Sequence, residues 1–297
     1  MFVDAVSKAT QFTRPILFIA RTYRSETVIP GLATLFFVND SGSAITCRHV
    51  AEQILQSDTI NENYQNFTAA VSAAKTANPY NYKKEIRQLE KQFGYQNGVT
   101  VNMKCQFSRV PSPIRDVTIH IHPVYDLSIL QFHDFQDLNY EPGNIFLLEN
   151  EDEIRQGKSL CRLGFPFPEF SNFAYNSAAD NIEWTSAPSQ VPCFPIDGIV
   201  TRHIGNENGE IFGIEMSTPG LRGQSGGPLF DRDGRIFGMQ FATHHLHLGF
   251  DMEEAPMVIN GERKIIHNQP FLHVGQCLHI HVIKDFLDQH HIPYRTA

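Results

Sequence analysis

The chain has 297 residues, of which 41% are hydrophobic and 19% charged, and 24 Lys and Arg against 32 Asp and Glu give a formal net charge of −8. That is enough apolar material for a full core without disulfide or metal staples. The acidic balance excludes a non-specific nucleic-acid or membrane-surface binder, which would present a basic face.

The five cysteines (Cys47, Cys105, Cys161, Cys193, Cys277) are odd in number, widely spread and free of any CxxC pair. Buried free thiols are therefore expected, not a disulfide framework or a zinc ribbon. No stretch reaches the roughly 18 apolar residues of a spanning helix. The start does not read as a signal peptide either, since Asp4 and Lys8 interrupt it and the run from Pro15 to Ala20 is too short for an apolar centre. A soluble, cytoplasmic protein in a reducing compartment fits these features.

In chain order, Asp4 to Gln11 reads as a short leading helix. Val28 to Val38 is a β-branched and aromatic run, and Ala44 to Thr46 is a further short strand. The polar segment from about Ala51 to Gly98 looks helical, because Ile86, Leu89 and Phe93 recur at helical spacing, with Asn81 as a start cap and Gly94 as a stop. Strands follow at Val99 to Phe107, Val117 to His122, Leu127 to Phe132, Leu160 to Leu163, Ile211 to Met216 and Arg235 to Phe241, each bounded by turn residues. Asn260-Gly261 marks a tight hairpin, and Val282, Ile283, Phe286 and Leu287 give an amphipathic helix over His281 to His290. The acidic run Glu149 to Glu153 reads as a solvated connection between an N-terminal half, 1–148, and a C-terminal half, 149–297. Many short strands with few helices predict a mainly β protein, a sandwich or barrel.

Chemistry concentrates in three places. Gly223-Gln-Ser225-Gly-Gly-Pro-Leu229 sets a serine between glycines that permit a sharp turn and aim N–H groups at a developing oxyanion. Serine alone is a weak nucleophile and needs a base within hydrogen-bond reach. In Ala44-Ile-Thr-Cys-Arg-His49-Val50 a strand ends at such a base. In Pro123-Val-Tyr-Asp126-Leu-Ser-Ile-Leu130 an aspartate opens an apolar strand, where a half-buried carboxylate needs a hydrogen-bond donor such as an imidazole N–H. Asp116 and Asp134 are nearby alternatives that match the position less well.

Gly223-x-Ser225-x-Gly227 also satisfies the nucleophile elbow of α/β-hydrolases, but that fold needs the order Ser, acid, His and alternating strands and helices. The 14 histidines include His120-x-His122, His244-His245-x-His247, His279-x-His281 and His290-His291. Alternating histidines on a strand could ligate zinc or nickel, yet no nearby Cys or Glu completes a set at the usual spacing, so half-buried or surface histidines are expected.

The order His49, Asp126, Ser225, with these local contexts, resembles the trypsin-like serine peptidases, and especially the HtrA-like bacterial branch without its PDZ domain. Gly31 to Val38, Ile154 to Pro166 and Gly275 to Leu287 resemble the family's strand before the histidine loop, its second-barrel opening strand and its closing strand and helix. The resemblance implies two six-stranded antiparallel β-barrels, a His49–Asp126–Ser225 triad, an oxyanion hole of the Gly223 and Ser225 amides, polypeptide substrates, and no metal or other cofactor. It places the floor of the primary specificity pocket around Pro219 and Gly220, its opposite wall at Phe241, Ala242 and Thr243, and Arg222 at the mouth. Without a carboxylate there, a preference for Lys or Arg is not expected. A small-to-medium apolar residue before the cut is, or an acidic or polar neighbour if Arg222 selects.

Two departures stand out. Gln224 replaces the aspartate that receives a new N-terminus in the digestive enzymes, so activation by N-terminal processing is not expected. His49 and Asp126 are 77 residues apart (126 − 49), and a helical insertion at about 56–98 accounts for the excess, with a regulatory partner there as one use. The alternative to an active endopeptidase is a catalytically silent or partner-switched module on the same fold.

Overall fold

A computed structural model describes residues 1–80, 82–111, 116–186, 191–248, 255–259, 262–266 and 271–297, with backbone alone at 255–259, 262–266 and 271. The leading helix α1 (Val3–Phe12) turns directly into β1 (Thr13–Thr22), followed by β2 (Ile29–Phe37) and β3 (Ser43–Thr46). Two consecutive helices come next, α2 (Arg48–Ala77) and α3 (Tyr82–Phe93). The first half is completed by β4 (Thr100–Phe107), β5 (Asp116–Ile121) and β6 (Ser128–His133). These strands form one six-stranded sheet in the order β4-β1-β2-β3-β6-β5, antiparallel throughout.

After two single 3₁₀ turns at Pro142–Asn144 and Glu151–Glu153, the second half runs through β7 (Ser159–Gly164), β8 (Phe173–Asn176), β9 (Asn181–Trp184), β10 (Phe194–Gly205) and β11 (Ile211–Met216). It continues through β12 (Pro228–Phe230), β13 (Ile236–His247), β14 (Ala255–Ile259), β15 (Glu262–Ile266) and β16 (Phe271–His279), and ends in α4 (Ile280–Gln289). Strands β10-β11-β16-β13-β12-β7 close into a barrel, with β8-β9 and β14-β15 as separate two-stranded ribbons. The protein is thus mainly β, with a six-stranded sheet in the first half and a closed six-stranded barrel in the second, in line with the fold that the resemblance implies. The expected Asn81 cap and Asn260-Gly261 turn lie outside the described residues, although the strands flanking that turn pair antiparallel from Ile259 opposite Glu262.

One apolar core joins the halves: Phe36, Phe37, Ile45 and Phe132 of the first pack in the same cluster as Leu163, Leu229, Phe237 and Leu278 of the second. Helix α1 is stapled to this core by Ala5, Ala9 and Phe12, all fully buried, and α4 by Ile280, Val282, Ile283, Phe286 and Leu287. The polar helix α2 buries only Val50, Ala51, Ser57, Tyr64 and Phe67. It seats on a satellite cluster in which Tyr64, Phe67 and Val101 meet Tyr23, Leu89, Phe93 and Tyr95. Among the described residues no helix is long and apolar enough to cross a membrane, and all five cysteines are free, three of them buried.

Candidate functional site

His49 is the second residue of α2. The helix begins where β3 ends, so the imidazole stands at a fixed point beside the sheet. The loop of residues 122–127 between β5 and β6 brings Asp126 to it. The His49 backbone N–H donates to Asp126 Oδ1 at 2.9 Å, and His49 Nδ1 lies 2.8 Å from Asp126 Oδ2. This bidentate contact fixes the ring and leaves Nε2 as the free nitrogen. Burial raises the Asp126 carboxyl, but the side-chain and backbone hydrogen bonds from His49 outweigh it and hold the group below its ordinary value, an ionised carboxylate at neutral pH.

Asp116 and Asp134 make no such contact. Asp116 caps its own strand by accepting from the Val117 N–H, and Asp134 occupies a left-handed turn at φ 54°.

The loop that delivers Asp126 is itself held by two residues to which the sequence assigns no such part. His122 Nδ1 accepts from the Val124 and Tyr125 N–H groups at 3.1 and 2.9 Å, closing the turn from its start. Burial, then the Arg48 charge, push the His122 pKa down, which keeps that acceptor unprotonated. Arg48, immediately before His49, donates to the Pro123 carbonyl at 3.1 Å and pairs with Glu52 at 2.7 Å. The His120-x-His122 alternation was the only sequence signal at hand, and it pointed to metal or surface roles.

Ser225 comes from the other half, on the loop before β12. Gly223 and Gly226 adopt φ of 89° and 87°, in the region where glycine is at ease. A Cβ at Gly226 would sit 2.0 Å from the Thr34 carbonyl oxygen, so the loop lies directly on β2. Thr34 N–H donates to the Ser225 carbonyl at 2.9 Å and its Oγ1 donates to the Gly223 carbonyl at 2.6 Å.

Within the loop the amides of Gln224, Gly226 and Gly227 are committed to the carbonyls of Leu221, Gln240 and Gln224. Those of Gly223 and Ser225 donate to nothing among the described residues. Gln224, fully buried, braces the loop through its amide: Oε1 accepts from the Leu221 N–H and Nε2 donates to the Phe194 carbonyl.

A cleft of about 430 Å³ opens between the halves, with His49, Ser225, Gly223 and Arg222 on its surface, facing Gly31, Ala33, Pro166 and Pro168. Among the described residues no hydrogen bond joins His49 to Ser225. The other residues expected to form a specificity pocket do not line this cleft but are tied up behind it. Pro219 O accepts from Arg162 at 3.1 Å, Gly220 O from Thr243 Oγ1 at 2.8 Å, and Ala242 O from Gln240 Nε2 at 2.5 Å, while Phe241 packs on the core.

Two groups of metal-type donors gather among the described residues: Cys47, His49 and Asp126, and Glu151, His279 and His281. In the first, burial and then the Asp126 charge push the Cys47 thiol well up, so it is a poor ligand, and the other two hold each other. In the second, Glu151 pairs with Lys284 at 2.6 Å and the two Nδ1 atoms share a hydrogen bond at 2.7 Å. Glu151 is 128 residues from His279 (279 − 151), which is why spacing could not reveal it.

Residues 33–239, more than two thirds of the chain, match the trypsin-like peptidase domain. The chain belongs to the trypsin-like peptidase family. No curated protein sequence matches it. Among solved structures, this peptidase domain is similar to the HtrA-type protease AlgW with a tripeptide (13% identity, TM-score 0.47) and with a decapeptide (13% identity, TM-score 0.48). The likeness covers 97% of this chain in both cases, and 63% and 67% of those chains.

Proposed function

We propose that the protein is a serine endopeptidase acting through His49, Asp126 and Ser225. The observation that carries this is the His49–Asp126 pair, with its 2.8 Å contact, set on the same cleft as Ser225. Asp126 holds the imidazole in the tautomer with Nδ1–H toward the carboxylate, and Nε2 takes the Ser225 proton as Oγ attacks a peptide carbonyl. The uncommitted Gly223 and Ser225 amides receive the oxyanion. His49 then protonates the leaving amine, and water, activated by the same nitrogen, hydrolyses the acyl-enzyme. The absence of a His49–Ser225 hydrogen bond is compatible, because such contacts often tighten only when substrate is bound.

A partner-switched module is favoured by one specific feature. His49 lies in the first turn of a 30-residue helix, so a partner that moves α2 moves the base. A fluorophosphonate probe separates the two. The active reading expects labelling mapped to Ser225, lost in Ser225→Ala and slowed by about 10³-fold or more in His49→Ala. A folded wild type that stays unlabelled removes the active reading and leaves the switched one.

A further inference from the structure

Segment 219–222 runs directly into the Ser225 loop, and β13 lies beside that loop, where the Gly226 N–H donates to the Gln240 carbonyl. The resemblance to trypsin-like peptidases implies that the side chain preceding the cut enters between these two backbones. In this protein that space is filled from within. An ideal Cβ at Gly220 would lie 2.3 Å from Gln240 Nε2 and 2.6 Å from Gln240 Cδ, so the amide of Gln240 already occupies the volume that Gly220 leaves open.

Behind it stands Arg162 of β7, fully buried although it is the largest such side chain. Its Nη1 donates to Gln240 Oε1 at 2.6 Å, and Nη2 donates to the Thr218 carbonyl, the Thr218 hydroxyl and the Pro219 carbonyl at 2.8, 2.6 and 3.1 Å. A Cβ at Gly275 would fall 1.9 Å from Arg162 Nη1, so the glycine there makes room for the guanidinium and not for a substrate. Across the opening, Thr243 Oγ1 donates to the Gly220 carbonyl at 2.8 Å and ties the two walls together.

Resting on the peptidase reading, we propose that Gln240 and Arg162 form an internal plug in the primary pocket and restrict the residue before the cut to a very small one, Gly, Ala or Ser. Gln240 is the side chain a larger residue would collide with. Arg162 anchors it, because Gln240 Oε1 accepts from a guanidinium that has no carboxylate partner among the described residues. Moving Gln240 would strip a buried cation of an acceptor, which is costly, so the plug is held in place and is more than a loose side chain.

The test uses tetrapeptide aldehydes identical except for the last residue, Ala, Ser, Leu, Phe, Lys or Glu. An aldehyde of fitting shape adds the serine oxygen reversibly and slows labelling of Ser225 by a generic fluorophosphonate. Ala and Ser aldehydes should protect at concentrations about tenfold or more below the other four, the scale at which a pocket rejects extra methylenes. Gln240→Ala should close that gap for Leu and Glu, and Thr243→Val, which unties the walls and leaves the Arg162 Nη1 and Nη2 contacts in place, should narrow it. Equal or better protection of the wild type by Leu, Phe, Lys or Glu overturns the plug. A wild type that the generic probe does not label at all overturns the peptidase reading itself, so the two failures are told apart.

Discussion

The proposed triad of Ser225, His49 and Asp126 stands out in the sequence because each role needs a particular local context: glycines around a nucleophile, a strand end before a base, an apolar strand after an acid. Supporting residues lack such signatures. Gln224 marks a departure in the sequence, but its role as a buried brace requires the Phe194 carbonyl, which β10 supplies from 30 residues away.

His279 illustrates the same limit. It caps α4, accepting from the His281 N–H at 3.4 Å, and burial first, then the charges of His281, His203 and Lys284, lower its pKa from 6.5 to about 3. Its folded-state value lies below the unfolded one, so the unfolded chain binds the extra proton. The contribution is complete above about pH 6.5 and is lost as pH falls from there toward 3. By pH 5 that is roughly 2 kcal/mol, a few degrees in Tm for a chain of this size. His279→Asn keeps an N-cap acceptor without titrating. Its melting temperature should therefore fall less between pH 7.5 and 5 than the wild type's, and parallel pH curves would refute the assignment.

At the scale of elements, β-branched and aromatic-rich runs bounded by turn residues located β2, β4, β5, β6, β7 and β11 within one or two residues. Among the strands that escaped, β1 and β10 did so for physical reasons. β1 is buried on both faces, with seven consecutive buried residues from Thr13 to Ile19, so it has no alternation, and Pro15 speaks against a central strand. β10 buries only Val200 along its length, and Pro195, Asp197 and Gly198 read as turn residues.

The long helical insertion was visible as a polar helical stretch, but its attachment was not. That attachment centres on Arg21 of β1, whose Nε donates to Asn102 Oδ1 at 2.8 Å and whose Nη1 pairs with Asp180 at 3.0 Å. Tyr64 of α2 and Tyr175 of β8 donate to the same carboxylate at 2.5 and 2.7 Å. One side chain thus ties the first sheet, the insertion and the β8-β9 ribbon. Arg21→Met should cost about 2–3 kcal/mol, below the full figure for a buried pair because Asp180 is 42% exposed. Urea denaturation would measure the loss. Hydrogen exchange should rise in Tyr64 to Phe67 and in β8-β9 but not around α4, and a uniform rise would show that Arg21 is only a generic core residue.

For the whole molecule, the site belongs to neither half. His49 and Asp126 hang from the first sheet and Ser225 from the second barrel, and the register between them is set where the serine loop rests on Thr34. Three contacts converge there: Thr34 N–H to Ser225 O, Thr34 Oγ1 to Gly223 O, and Thr46 Oγ1 to Thr34 O at 2.8 Å. Gly226 is the residue that allows them. Its φ of 87° is strained for any side chain, and a methyl group would press within 2.0 Å of the Thr34 carbonyl. Gly226→Ala must therefore push the loop off β2 or spread the halves, at a cost on the order of 2–4 kcal/mol. The distinguishing consequence is geometric. If the halves share one register through Thr34, Gly226→Ala should lose fluorophosphonate labelling of Ser225 while far-UV circular dichroism stays native. Thr34→Val, which removes one hydroxyl donor and keeps the backbone contact, should cost about 1 kcal/mol and leave partial labelling. Full labelling in the Gly226→Ala protein would mean that the serine loop holds its conformation independently of the first half, and that the cleft is assembled by the loop alone.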